Sequence, residues 1–306
     1  MPNKYEQDLE IDESNDLTMD NLQSRKSAEL TSLGYLPDSI LILIFSYLTP
    51  LDLIRCTRVC HRWHLIVSHQ QQLWRRLFLR PDCTNGHIGA VHVRHIDKFI
   101  YMLGTRCASS LIYIDLPVEL VTVEVLRVLA SHCPNLEYLT LDFSSAMQLH
   151  DFSELNEFPC NLKRLCICLS EVIFLEGFMR RIYGYISSLN TLHIIGTIEK
   201  SSITSTEETD TYETINISKI KTHAPNLRVI NLYGISFIDD NHVELIASGC
   251  MHLQCLALNF CIRIRGTSFK NLMNRCTKLQ CLLLQNTGIN NEHYLIDIER
   301  MDTILF

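Results

Sequence analysis

The chain has 306 residues, 47% of them hydrophobic and 20% charged, which is room for one large domain or for a small domain and a repeat array. Its formal charge of −7 is unevenly spread: eight acids against three bases give residues 1–32 a net −5, and a nearly neutral remainder with no long Lys/Arg run excludes nucleic acid as the main partner. No apolar stretch approaches the ~20 residues of a membrane span, the acidic first twenty residues do not read as a signal peptide, and the 13 cysteines, an odd number, read as free thiols of a reducing compartment, cytosol or nucleus.

Residues 1–32 lack periodic apolar positions and read as a disordered acidic tail. Residues 33–79 read as a compact unit of three short helices. Pro37 suits the first turn of a helix, where its missing N–H costs nothing. The run from Asp38 to Leu48 is too apolar for an ordinary surface helix, and Thr49-Pro50 ends it. A second helix is expected from near Pro50 with Leu51, Ile54 and Cys56 buried. A third would place Val59, Cys60, Trp63 and Val67 on one face, with Leu73, Trp74 and Leu77 closing the unit. Ile40, Leu41, Ile44, Phe45, Leu48, Leu51 and Trp74 are more apolar bulk than three short helices cover. Each gains about 1.5–3 kcal/mol on full burial, so either the rest of the chain or a partner is expected to seal them.

Residues 80–105 open with a polar turn at 81–86 and continue with a helix over His95 to Leu103. From there a pattern L-x-x-L-x-L recurs, with Ile allowed. Its first positions are Leu111, Leu136, Leu162, Leu189, Leu227, Leu253 and Leu279, spaced by 25, 26, 27, 38, 26 and 26 residues. Leucine-rich repeats have a period of 20–29. The long interval contains a Ser/Thr-rich loop insertion at about 199–211. Ten, seven and three residues before each leucine lie apolar sets such as Leu126/Leu129/Cys133, Phe152/Leu155/Pro159 and Val243/Ile246/Cys250, spaced to share one helical face. Each unit is thus expected to be a helix, a turn and a strand, and the next strand falls due at Leu305. The fold class is an α/β repeat: a trihelical unit at 33–79, then at 80–306 a leucine-rich-repeat solenoid, a horseshoe arc of about seven strand–helix units.

On such strands the residues between the core leucines face away from the helices. Two, four and six residues after the first leucine, they form columns on the expected concave face, and these supply the candidate binding residues: Tyr113, Asp115, Tyr138, Thr140, Asp142, Arg164, His193, Asn231, Tyr233, Asn259 and Gln285. This face has no Arg cluster able to grip a phosphate bidentately. Cys133, Cys250 and Cys276 read as small apolar fillers at helix ends. Cys166-x-Cys168 lacks a second pair at metal-ligand spacing, so no metal or other cofactor is expected. No P-loop, dinucleotide fingerprint, HExxH or G-x-S-x-G is present, and no catalytic residue is assigned.

The strings Leu36-Pro37-Asp38-Ser39-Ile40, Ile44-Phe45-Ser46-Tyr47-Leu48, Arg58-Val59-Cys60-His61-Arg62-Trp63 and Leu73-Trp74, in this order, resemble an F-box. Together with the repeats, and with Cys261 eight residues after its leucine, they resemble the F-box/leucine-rich-repeat family. The resemblance implies docking on a Skp-type adaptor, and through it on cullin and RING subunits of a ubiquitin ligase. The positions matching the family's adaptor-facing residues are Leu36, Pro37, Ile40, Ile44, Phe45, Leu48, Leu53, Val59, Cys60 and Trp63. It further implies a non-catalytic receptor that holds a protein substrate on the arc for ubiquitination and proteasomal degradation, with neither nucleic acid nor membrane as partner. The other function the same features fit is a scaffold that does not direct ubiquitination.

Overall fold

The computed structural model describes residues 36–79, 96–143, 151–169, 175–196, 216–289 and 303–305. The expected acidic tail, the polar turn at 81–86 and the Ser/Thr-rich insertion lie outside the described residues.

Three short helices come first: α1 (Asp38–Phe45), α2 (Pro50–Cys56) and α3 (His61–His69). Thr49 caps α2 by accepting the Asp52 N–H at 3.2 Å, and the Cys60 sulfur accepts the Trp63 N–H at the start of α3. Arg62 ties α3 back to α1, donating to the Asp38 carboxylate at 2.8 Å and to the Leu36 carbonyl at 2.5 Å. Leu41, Phe45, Leu53, Ile66, Val67 and Trp74 are buried between them. Trp63 packs edge-on against Phe45 at 5.0 Å. The Trp74 indole donates to the Val67 carbonyl at 2.9 Å, satisfying its only polar atom. Ile54 was expected inside; Leu53 takes that place and Ile54 is exposed, because α2 begins at Pro50 and its inward stripe passes one residue earlier.

The sheet then starts sooner than the repeat pattern implies. Arg76–Phe78, expected to close the helical unit, form strand β1 and pair in parallel with β2 (Tyr113–Leu116). After α4 (Ile96–Met102) and β2 follow α5 (Val123–His132), β3 (Tyr138–Phe143), β4 (Arg164–Leu169), α6 (Leu175–Ile182) and β5 (Thr191–Gly196). The remainder is α7 (Ile217–His223), β6 (Val229–Tyr233), α8 (Asp240–Gly249), β7 (Cys255–Ala257), α9 (Phe269–Arg275), β8 (Cys281–Leu283) and β9 (Thr303–Leu305). Among the described residues nine strands form one parallel sheet in chain order, the topology of a leucine-rich-repeat solenoid. Register follows the leucine pattern: Tyr113, Tyr138, Arg164, Thr191, Val229, Cys255 and Cys281 lie opposite one another in succession. The patterned leucines and isoleucines are buried in every unit.

Helix starts are capped by Thr122, Asn216 and Asp239, which accept N–H groups of α5, α7 and α8. The Asp240 carboxylate reaches into the next unit, accepting from the backbone N–H of Arg265 at 2.7 Å and Gly266 at 2.9 Å. Seven residues after the first leucine the chain turns through the left-handed region in three successive units, at Gly234 (φ 67°), Phe260 (φ 62°) and Asn286 (φ 54°).

Two units depart from the expected form. Phe152, Leu155 and Pro159 are buried as the helix stripe requires, yet 151–159 form turns and extended chain instead of a helix. Asp151 captures the Ser153 N–H at 2.8 Å, and Pro159 keeps Phe158 out of the α region. The final strand is not in the expected phase either. Thr303 stands opposite Cys281, a spacing of 22, so Leu305 ends β9 opposite Leu283 rather than opening a new unit.

Candidate protein-docking surfaces

Helix α1 is apolar on two sides. Leu41, Phe45 and Leu48 turn inward, Leu48 only half-buried. Ile40, Leu43, Ile44 and Tyr47, spaced i, i+3, i+4, i+7, form a second stripe that faces solvent, with exposures of 41%, 55%, 41% and 83%. Ile54, Val59 and Leu65 extend exposed apolar surface onto α2, its following turn and α3. Among the residues read as adaptor-facing, Ile40, Ile44 and Val59 are exposed apolar groups. Pro37 and Cys60 are exposed, the latter serving as the α3 cap, and Leu36, Leu48 and Trp63 are half-buried. Phe45 and Leu53 are corrected here: both are at 2% exposure inside the unit, so they shape the surface from beneath. Leu43, Tyr47 and Leu65 were not singled out from the sequence, although the i, i+3, i+4, i+7 spacing from Ile40 to Tyr47 was there to be read.

The second surface is the face of the sheet. Arg76 and Phe78 extend its columns by one strand, Arg76 beside Tyr113 and Phe78 beside Asp115. The Phe78 and Tyr113 rings lie 4.8 Å apart, and the Arg164 guanidinium sits 5.5 Å from the Tyr138 ring. Tyr113, Tyr138, Asp142, His193, Asn231 and Tyr233 are half-buried on this face, and Arg164 and Gln285 are exposed. Three of the expected residues are otherwise engaged. Asp115 is fully buried and its carboxylate accepts the Leu79 N–H, tying the end of β1 to β2. Thr140 is buried. Asn259 is half-buried, and its side chain accepts the Gln285 N–H at 2.9 Å, joining adjacent units. Burial, with the Arg164 charge acting in the same direction, holds the His193 pKa below its usual value, which favours a neutral imidazole.

The two surfaces meet at a groove of about 720 Å³. Tyr47 and Leu48 line it from the helical side, and Arg76, Phe78, Glu137 and Tyr138 from the sheet. Among the described residues no group of three or more His, Cys, Asp or Glu is placed to hold a metal ion, and no helix is long and apolar enough to cross a membrane.

Residues 33–80 match the F-box-like family. The bovine F-box/LRR-repeat protein 4 is 25% identical over 90% of this chain and 47% of its own length. The human F-box/LRR-repeat protein 12 is 34% identical over 37% of this chain and 33% of its own. The chain thus spans about half, or less, of the curated relatives it matches. Among solved structures, a chain from the crystal structure of the yeast Rad7 and Elc1 complex matches 97% of this chain and 94% of that one at 14% identity. Its TM-score is 0.33, too loose a superposition to argue from.

Proposed function

We propose that the chain, whose residues 33–80 match the F-box-like family and which is similar to F-box/LRR-repeat proteins over 90% of its length, is the substrate-recognition subunit of a Skp–cullin–F-box ubiquitin ligase. The observation that carries this reading is the solvent-facing stripe Ile40, Leu43, Ile44 and Tyr47 on α1 and the turn after it, which the other described residues leave exposed. A patch of that kind is stable in water only at a cost, and a docking subunit would remove it. In this reading Ile40, Ile44, Val59 and Trp63, joined by Leu43 and Tyr47, contact a Skp-type adaptor, with cullin and RING subunits beyond it. The sheet face, through Tyr113, Tyr138, Arg164, His193 and Tyr233, holds the protein substrate. The chain contributes position, not bond-making groups. Holding a target beside the conjugating enzyme raises the effective concentration of its lysines.

The test is adaptor binding by the full chain carrying Ile40→Glu and Ile44→Glu. Two charges in the stripe should remove adaptor co-purification while leaving the melting temperature within a few degrees of wild type, since neither side chain is core. Retention of the adaptor by this variant would defeat the proposal. If adaptor is bound yet captured proteins keep the same lifetime with and without the stripe, the chain is a scaffold instead.

A further inference from the structure

Thiols recur in this chain at the period of the repeat, and burial sorts them. Cys133, Cys250 and Cys276 fill helix ends inside the core, and the Cys276 S–H donates to the Cys250 carbonyl at 3.5 Å. Closed off from solvent, these three act as small apolar groups. Cys255 and Cys281 stand on the other side of the strands, on the sheet face.

Cys255 opens β7 and Cys281 opens β8, each two residues after its unit's first leucine. They are direct partners in the parallel register, so both side chains leave the same face, and both are half-buried rather than enclosed. One strand step carries Cα and Cβ alike by about 4.8 Å. Disulfides accept Cα separations of about 4.4–6.8 Å, whereas their Cβ atoms usually stand about 3.8 Å apart. A slight lean of the two strands therefore closes the bond, and a bond closed this way is under tension. Among the described residues no third His, Cys, Asp or Glu joins the pair to make a metal site. The two sulfurs already interact. Burial first, then the hydrogen bond to Cys281 and its charge, push the Cys255 pKa up to about 12. Cys281 is thus the member of the pair that loses its proton first, with the Cys255 S–H donating to the thiolate formed.

We propose that Cys255 and Cys281 form a reversible redox site, closed to a cross-strand disulfide by exchange with a low-molecular-weight disulfide of the glutathione class. In the first step the Cys281 thiolate attacks one sulfur of the small disulfide. An S–S bond forms to Cys281, the small S–S bond breaks, and the departing thiolate takes up the proton that Cys281 lost. In the second, Cys255 attacks the Cys281 sulfur and expels the second small thiol, which leaves with the Cys255 proton. Two cysteine thiols are oxidised, one small disulfide is reduced to two thiols, and the electrons balance without another carrier. The second step is intramolecular, so the local concentration of Cys255 favours it over a lasting mixed disulfide. Tension makes the closed bond easy to reduce, as a reversible site requires. Closure pins β7 to β8 and removes two S–H groups from the sheet face. The inference stands apart from the ligase reading.

The test exposes the folded full chain to glutathione disulfide at pH 8, blocks the remaining thiols with iodoacetamide and maps the peptides by mass spectrometry without reduction. A Cys255–Cys281 link is expected, two hydrogens lighter than the dithiol and reopened by reduced glutathione. The exposed Cys60 and Cys160 serve as the internal reference and should end as glutathione adducts. Cys255→Ser should trap Cys281 as a glutathione adduct at five times the wild-type level or more. Cys281→Ser should abolish the link and leave Cys255 without an adduct. The wild-type map stands by itself should either variant melt early. A Cys281 adduct that persists in the wild type, linkage of either thiol to another cysteine in equal amount, or an unoxidised pair while Cys60 and Cys160 react would overturn the proposal. So would a Cys255 adduct in Cys281→Ser as abundant as the Cys281 adduct in Cys255→Ser.

Discussion

At the residue scale, His193 gives the sheet face a pH response. Its folded-state pKa lies below the ordinary 6.5, first through burial and then through the Arg164 charge. The unfolded chain therefore binds this proton more readily, and the residue's contribution to stability falls as pH drops below 6.5, levelling off once the folded-state imidazole also titrates. Replacing His193 with Gln should flatten that slope. Urea midpoints measured at pH 5 and pH 7.5 should lie closer together in the variant than in wild type, and an unchanged gap would rule the residue out as its source. The thiols divide in the same physical way. Burial pushes Cys107 up to about 12 and Cys133, Cys250, Cys261 and Cys276 up to about 11, while Cys60 and Cys160 are exposed. Mass spectrometry after brief iodoacetamide treatment at pH 7.5 should find Cys60 and Cys160 alkylated and the five buried thiols untouched until the chain is unfolded.

At the element scale, two units approach each other closely at Gly196, the last residue of β5. A Cβ there would stand 2.6 Å from the Gly234 carbonyl oxygen, a backbone atom that cannot swing aside. Gly196→Ala should cost about 1–3 kcal/mol, the usual penalty of overpacking, measured as a lowered denaturation midpoint. Gly177→Ala on α6, with open space at its Cβ, should be neutral or stabilising by comparison. The repeat itself was plain in the sequence, because register follows a hydrophobic period that any slip would turn inside out. Seven strands were anticipated on that basis, in the observed register. What escaped was whatever carried no period. β1 is three residues long, and Leu77 alone bears its core position. The unit before β4 keeps the buried stripe of a helix but is diverted by Asp151 and Pro159. The last spacing is 22, and the leucine at 305, which a 26-residue period makes the start of a new unit, instead ends β9. The candidate site was legible by type rather than by residue. The surplus of apolar groups at 33–79 left open whether the chain or a partner covers them, and composition could not say which side of α1 faces out; of the adaptor-facing set that the F-box resemblance implied, Phe45 and Leu53 are buried within the helical unit.

At the scale of the whole molecule, the helical unit and the array share one hydrophobic core running from Leu41 to Leu284. Trp74 and Leu77 belong to both, the first through its indole bond to α3 and the second through its place opposite Ile114. The exposed stripe on α1 is therefore held at a fixed attitude to the sheet face. For a receptor of the proposed kind, this fixes where a captured target stands relative to the adaptor. A flexible Gly-rich linker inserted after Leu79 should accordingly leave adaptor capture intact while slowing target ubiquitination, measured in a reconstituted reaction. An unchanged rate would show that the rigid junction has no part in transfer.

Because β1 is both the tail of the helices and the first rung of the sheet, those helices also serve as the end-plate of the stack. Cutting the chain at residue 80, the natural way to ask what the array does alone, removes the plate. It leaves the β2 backbone edge unpaired and takes away Trp74 and Leu77, buried parts of the core that the two units share. Such a fragment should pair with its own kind and run as oligomers on gel filtration. Surface charges on α1 sever the docking face and spare the plate, which makes them the cleaner instrument for separating what this protein holds from what holds it.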